Sequence, residues 1–159
     1  MKSCTIQSPI GNITITGNSS GIASVSIASG NPAVSTSPAV PKSLSRCVTQ
    51  LHEYFAGERQ IFDLKLNPEG TDFQKRVWNL LLTVPYGKTI SYLELSKLLG
   101  DVKAIRAVAG ANGKNPICII IPCHRIIGSD GSLTGYAGGI SRKKWLLNHE
   151  SPHKQHTLF

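Results

Sequence analysis

The hydrophobic period of this chain changes once, and that change limits the folds open to it. Up to residue 27 apolar residues recur at every second position: Thr5-Ile6, then Asn12-Ile13-Thr14-Ile15-Thr16, then Ile22-Ala23-Ser24-Val25-Ser26-Ile27. From residue 43 the spacing becomes three to four, with Leu44, Cys47, Val48, Leu51 and Phe55 on one face of a helix over 43–56 that stops at Gly57. A period of two alternates side chains across a strand, whereas a period near 3.6 stacks them on one helical face. Pro9-Ile10-Gly11 and Asn18 to Gly21 are turn chemistry between the strands, so the strands form a small antiparallel sheet. Strands gathered at one end and helices at the other define an α+β chain.

The rest of the chain reads mainly as helix. Residues 28–41 are rich in Ser, Pro and Ala and read as a long loop, and 58–70 as an extended linker. Thr71-Asp72-Phe73-Gln74 and Ser91-Tyr92-Leu93-Glu94 are both capping boxes, with Gln or Glu three residues after a hydroxyl N-cap. The first opens a helix carrying Phe73, Val77, Leu80 and Leu81 and ended by Pro85-Tyr86-Gly87; the second opens a short helix to Leu99. Gly100 is placed to stop it, and Asp101 to cap a third helix through about Asn112. Two short helices joined by a tight glycine turn resemble a helix-turn-helix. Ile117 to Ile121 reads as a buried strand, and a helix follows over about 141–149. These breaks divide the chain into a 1–70 sheet-and-helix domain and a 71–159 domain.

Charge and cysteine content narrow the function. The net charge is +8, and residues 71–159 hold twelve Lys/Arg against five Asp/Glu, a net of +7. A basic half points to an anionic partner, with nucleic acid the usual one. The longest apolar run, Ile117 to Ile121, is five residues, against roughly 20 for a membrane-spanning helix, and no secretory leader is visible at the N-terminus. Cys4, Cys47, Cys118 and Cys123 have irregular spacing and no CxxC pair, so neither a disulfide framework nor a structural zinc site is expected. A reduced intracellular compartment fits best.

Cys123 stands apart from the other three. Cys118, inside the isoleucine run, has the setting of a small buried hydrophobe. Cys123 leaves that run beside His124 and Arg125, ahead of a Gly-rich loop over 128–139. Cationic neighbours lower a thiol's pKa and raise its thiolate fraction. His124 is a candidate base and Glu150 a candidate third member of a Cys–His–acid relay, although spacing alone does not bring the three together. The small residues Ala104, Ala107, Ala109, Gly110 and Ala111 around Arg106 allow close approach to another helix or to a DNA groove.

The run Asn115-Pro116 through Ile121-Pro122-Cys123-His124-Arg125 resembles the active-site signature of the O6-alkylguanine-DNA alkyltransferases. Gly135-Tyr136-Ala137-Gly138-Gly139, Lys144-Trp145-Leu146-Leu147 and His149-Glu150 fit the same family, as do Phe73 to Trp78, Pro85-Tyr86-Gly87, Ser91-Tyr92 and Arg106-Ala107-Val108. Ser8-Pro9-Ile10-Gly11 and Leu51 to Phe55 extend the resemblance more weakly over residues 1–70. It implies a ribonuclease H-like N-terminal domain. The C-terminal domain would combine a helix-turn-helix with a short active-site strand.

The implied activity is direct reversal of DNA damage. A damaged guanine is flipped out of the duplex, and the alkyl group on its O6 moves once to Cys123, with O4 of thymine a further substrate position. By resemblance His124, held by Glu150, takes the thiol proton through a water. Asn115 orders this network, and Tyr92 protonates the leaving guanine. Arg106 fills the vacated stack, with Ala107, Ala111, Tyr92, Arg125 and Ser129 also at the DNA minor groove. The base pocket comprises Ile126, Tyr136, Ala137 and Gly138, with the carbonyls of Cys123 and Ile126 facing the guanine amino group and the Ala137 N–H facing O6. No cofactor and no metal are expected, and the protein is expected to act as a monomer on double-stranded DNA, in the cytoplasm of a prokaryote or the nucleus of a eukaryote. A lesion sensor of the same fold is the alternative, distinguished by lacking the acceptor cysteine. A cysteine hydrolase would turn over repeatedly, and a helix-turn-helix regulator leaves the PCHR stretch unexplained.

Overall fold

Strands β1 (Lys2–Ile6), β2 (Ile13–Asn18) and β3 (Gly21–Ile27) form an antiparallel sheet in sequence order. Register pairs Cys4 with Ile15 and Ile15 with Val25, which places these three buried side chains in one cross-strand row. On the other face the rows are polar, with Thr5 and Thr14 hydroxyls 3.0 Å apart and Thr16 and Ser24 hydroxyls 2.6 Å apart. Helix α1 (Lys42–Phe55) buries Leu44, Cys47, Val48, Leu51 and Tyr54, as the 3.6 period requires. The computed structural model describes residues 1–27, 39–133, 135–136 and 138–152; most of the loop expected over 28–41 lies outside them.

The described chain divides into two units, one from Met1–Glu69 with Pro116–Ile120, the other from Gly70–Asn115 with Ile121–Phe159. In the first, the segment read as a linker is extended but tied down. Ile22 N–H donates to the Lys65 carbonyl at 2.8 Å, Asn67 N–H to the Ile22 carbonyl at 2.8 Å, and the Gln50 side chain exchanges two hydrogen bonds with the Asp63 backbone.

The isoleucine run is buried but is not a strand. Its contact with β3 is one parallel bridge, Ile117 to Val25, closed by the Cys118 N–H on the Val25 carbonyl at 3.0 Å, and the chain then turns. Ile120 N–H donates to the Cys118 carbonyl at 2.8 Å, closing a three-residue turn on Ile119, whose φ is +73°. That region is costly for a β-branched residue, by about 1–3 kcal/mol. Ile119 is fully buried, and its burial offsets the strain. Ile119→Gly is therefore expected to destabilise the protein by about 1–2 kcal/mol less than Ile120→Gly at the next buried position. Paired denaturant melts check this, and equal losses contradict it.

In the second unit both capping boxes form. The Thr71 hydroxyl accepts from Gln74 N–H and the Ser91 hydroxyl from Glu94 N–H, opening α2 (Asp72–Leu81) and α3 (Tyr92–Leu99). Gly100 ends α3 in the left-handed region at φ +96°. Asp101 caps a 3₁₀ turn (Val102–Ala104) rather than the helix itself, and α4 (Ile105–Gly113) follows. The buried Trp78 indole N–H donates to the Ala111 carbonyl at 2.8 Å, fixing α2 to the end of α4. The short strand of this unit is β5 (Ile126–Ile127), parallel to β4 (Ile90–Ser91), and α5 (Ile140–Glu150) closes the described chain.

Candidate active site

The PCHR segment is a tight turn held from several sides. Pro122 sits at φ −82° and ψ 64°, and Cys123 N–H reaches back to the Ile121 carbonyl at 2.8 Å. The same carbonyl accepts from the buried Asn115 Nδ2 at 2.8 Å. Cys123–Arg125 then form one 3₁₀ turn leading into β5. Adjacent residues on a strand point to opposite faces, whereas Cys123 and His124 share one turn.

Three buried ionisable side chains meet behind Cys123. His124 Nε2 lies 2.8 Å from Glu150 Oε2. Arg125 donates to Glu150 through Nε at 2.8 Å and through a terminal nitrogen at 3.0 Å, and its other terminal nitrogen donates to the Val84 carbonyl at 2.8 Å. Burial pushes the Glu150 carboxyl up, but the hydrogen bonds and charges of His124 and Arg125 outweigh it and hold the group well below the usual carboxylate range. Burial also pushes His124 below its ordinary value; Glu150 opposes this, while the charges of Arg125 and Lys143 reinforce it. The consistent state is a neutral imidazole donating from Nε2 to an ionised carboxylate. Nδ1 is then an acceptor, and it has no partner among the described residues.

The sequence-predicted residues separate into groups. Cys123, His124, Glu150 and Asn115 converge on this turn. Tyr92 is the first residue of α3, half-buried, and its hydroxyl lies 3.4 Å from where a Cβ on Gly135 would stand. Ile126 and Tyr136 are buried, and Gly138 accepts at its carbonyl from Arg142 at 3.2 Å. Arg106, Ala107 and Ser129 are exposed, whereas Ala137 lies outside the described residues.

Two expected DNA contacts are placed differently. Arg125 is 6% exposed, and each of its guanidinium nitrogens is committed inside the protein, so its role is to pair Glu150. Ala111 is 4% exposed, its carbonyl taken by Trp78; the open positions of α4 are Arg106, Ala107, Gly110 and Gly113. Two buried polar residues had not been singled out. Lys143 is fully buried, its Nζ donating to the Ile126 carbonyl at 2.6 Å and lying 5.9 Å from the centre of the Tyr92 ring. Burial pushes its pKa down, and Cys123 pushes it up. Asn112 reaches the Cys123 carbonyl through Nδ2 at 3.4 Å. Each is a polar residue on an apolar helical face, Lys143 with Leu146 and Asn112 with Val108, and that misfit was the available signal.

Two short helices joined through a left-handed glycine, in the same unit as a buried thiol, an imidazole and a carboxylate, have the outline of a helix-turn-helix protein with a candidate cysteine nucleophile. Comparison with known proteins makes the class specific. Residues 72–152 match the DNA binding domain of 6-O-methylguanine DNA methyltransferase, and residues 1–68 its ribonuclease-like domain. A methylated-DNA–protein-cysteine methyltransferase from Mycobacterium bovis is 49% identical over 148 residues, 92% of this chain and 90% of the relative. One from Methanosarcina barkeri is 48% identical over 149 residues, 91% of this chain and 94% of the relative. The crystal structure of Mycobacterium tuberculosis OGT in complex with DNA superposes with a TM-score of 0.83 at 47% identity, covering 94% of each chain. This chain belongs to the 6-O-methylguanine DNA methyltransferase family.

Proposed function

We propose that this protein repairs alkylated DNA by direct reversal, moving the alkyl group from O6 of guanine to Sγ of its own Cys123. The observation that carries the reading is the buried His124, tied at Nε2 to Glu150, its Nδ1 without a partner among the described residues, on the turn that bears the thiol. A water relays the thiol proton to Nδ1, the thiolate attacks the alkyl carbon in line, and the bond to O6 breaks. Guanine leaves poorly as an anion, so a proton donor assists; Tyr92 takes that role. Asn115 holds the turn through the Ile121 carbonyl. The product thioether is not displaced by water, so each molecule acts once.

DNA is bound through α3 and α4. Arg106, Ala107, Gly110 and Gly113 form the exposed face of α4, and a Cβ on either glycine would meet nothing within 4 Å. A face this flat suits the minor groove, with Arg106 filling the gap left by the flipped base and offsetting a few kcal/mol of lost stacking. Residues 71–159 supply both DNA binding and chemistry. In the pocket, the carbonyls of Cys123 and Ile126 accept from the guanine amino group, with Tyr136 as a wall. The protein acts as a monomer.

Mass spectrometry of the protein mixed with a duplex carrying one O6-methylguanine tests the reading. One methyl group on the Cys123 peptide, with product equal to protein, is expected. Tight binding with no mass change would mean a lesion sensor, and repeated turnover would mean a hydrolase.

A further inference from the structure

We propose that Arg125 is a positioning residue for the transfer: its two-point grip fixes Glu150 against Nε2 of His124, and its charge keeps Nδ1 open to the thiol proton. The proposal rests on the alkyl-transfer reading above. Arg125 Nε donates to Glu150 Oε1 at 2.8 Å, and a terminal nitrogen donates to Oε2 at 3.0 Å. Oε2 is also the oxygen that lies 2.8 Å from His124 Nε2. A planar fork on a planar carboxylate sets the orientation of both oxygens, which a single point charge does not. The guanidinium is itself anchored. Its other terminal nitrogen donates to the Val84 carbonyl at 2.8 Å, and its central carbon lies 5.7 Å from the centre of the Tyr86 ring.

Arg125 and His124 share one carboxylate oxygen, so a proton on His124 would set a second cation beside the first. Like charges this close disfavour the second ionisation. The titratable and charged groups around His124 are Glu150 and Lys143 from α5, Arg125 and Cys123 from its own turn, and Tyr86 across the Arg125 guanidinium. Burial is the largest influence holding His124 below its ordinary value; the charges of Arg125 and Lys143 add to it, and Glu150 opposes them. A neutral ring that donates from Nε2 presents Nδ1 as an acceptor, and Nδ1 has no partner among the described residues. A ring protonated in advance has no place for the proton of Cys123.

The test measures single-turnover methyl transfer from a saturating O6-methylguanine duplex across the pH range in which imidazole titrates. Wild type, Arg125→Met and Arg125→Lys are compared, with an NMR titration of the His124 ring in each. Wild type is expected to hold its rate until pH falls below about 6.5. Arg125→Met removes the repelling charge, so the midpoint of its acid limb rises by about one pH unit, and the NMR midpoint rises with it. Arg125→Lys keeps a charge without the fork; its acid limb stays in place while the plateau rate falls about tenfold. The lysine variant serves if the methionine variant does not fold. Uniform slowing of Arg125→Met with an unmoved limb overturns the charge role, and wild-type rates throughout in Arg125→Lys overturn the role of the fork. A wild-type protein that takes no methyl group on Cys123 overturns the underlying reading instead, and the His124 titration then decides the role of Arg125 without it.

Discussion

Glu150→Leu is expected to destabilise the protein by about 3–5 kcal/mol, the usual cost of stranding a buried charge. The carboxylate accepts from His124 and twice from Arg125, and all three residues are buried. Without it the Arg125 guanidinium keeps the Val84 carbonyl and the face of the Tyr86 ring, 5.7 Å away, in a largely buried site. For a chain of this size the loss lowers the melting midpoint by about 10 °C. Adding Arg125→Met recovers much of it, because removing both charges removes the stranded one. A Glu150→Leu protein that melts with wild type contradicts this account of the network.

The same network fixes how stability responds to acid. His124 is held below its ordinary pKa, so as pH falls below about 6.5 the unfolded chain takes up a proton that the native state refuses, and stability declines. Glu150 is also depressed, so its contribution is complete above about 4.3 and is lost as pH falls through its lower native value. Wild type is expected to lose stability in two stages on acidification, the second of which disappears in Glu150→Leu. Denaturant melts from pH 7 to pH 3 measure both stages.

The sequence made the local rules visible and hid the long-range ones. Thr71, Ser91 and Gly100 announced helix ends because caps act within four residues, and each formed as read. The candidate cluster was singled out through its motif, while the His124–Glu150 contact spans 26 residues that spacing could not bridge. The run 117–121 misled because five buried apolar residues between prolines fit a strand and a buried turn equally well; nothing local forces a β-branched Ile119 to positive φ. Arg125 beside Cys123 read as a DNA contact, since its partner lies 25 residues away. Asn112 and Lys143 were visible only as polar residues on apolar faces, a pattern that becomes a site once the carbonyls of Cys123 and Ile126 are seen beneath them.

Cys123→Ala is expected to abolish methyl transfer completely while leaving recognition of the methylated duplex. Three thiols remain in that variant, and each is buried. Burial raises the Cys4 pKa and, with the nearby Cys4, pushes Cys47 up to about 12, so neither supplies useful thiolate near neutral pH. Cys118 is buried in the turn of the isoleucine run, five residues before Cys123. The proton acceptor His124 is thus matched to one thiol only. Binding should persist because the exposed face of α4 proposed to meet DNA, Arg106 and Ala107 among it, does not involve the sulfur. Peptide mass spectrometry and a competition assay against unmethylated duplex read the two halves separately. A methyl group on any remaining cysteine would transfer the acceptor role away from Cys123. Loss of discrimination with the fold intact would mean that the sulfur, not the carbonyls, recognises the lesion. Retained discrimination with no methyl uptake separates recognition from chemistry and assigns the chemistry to one atom.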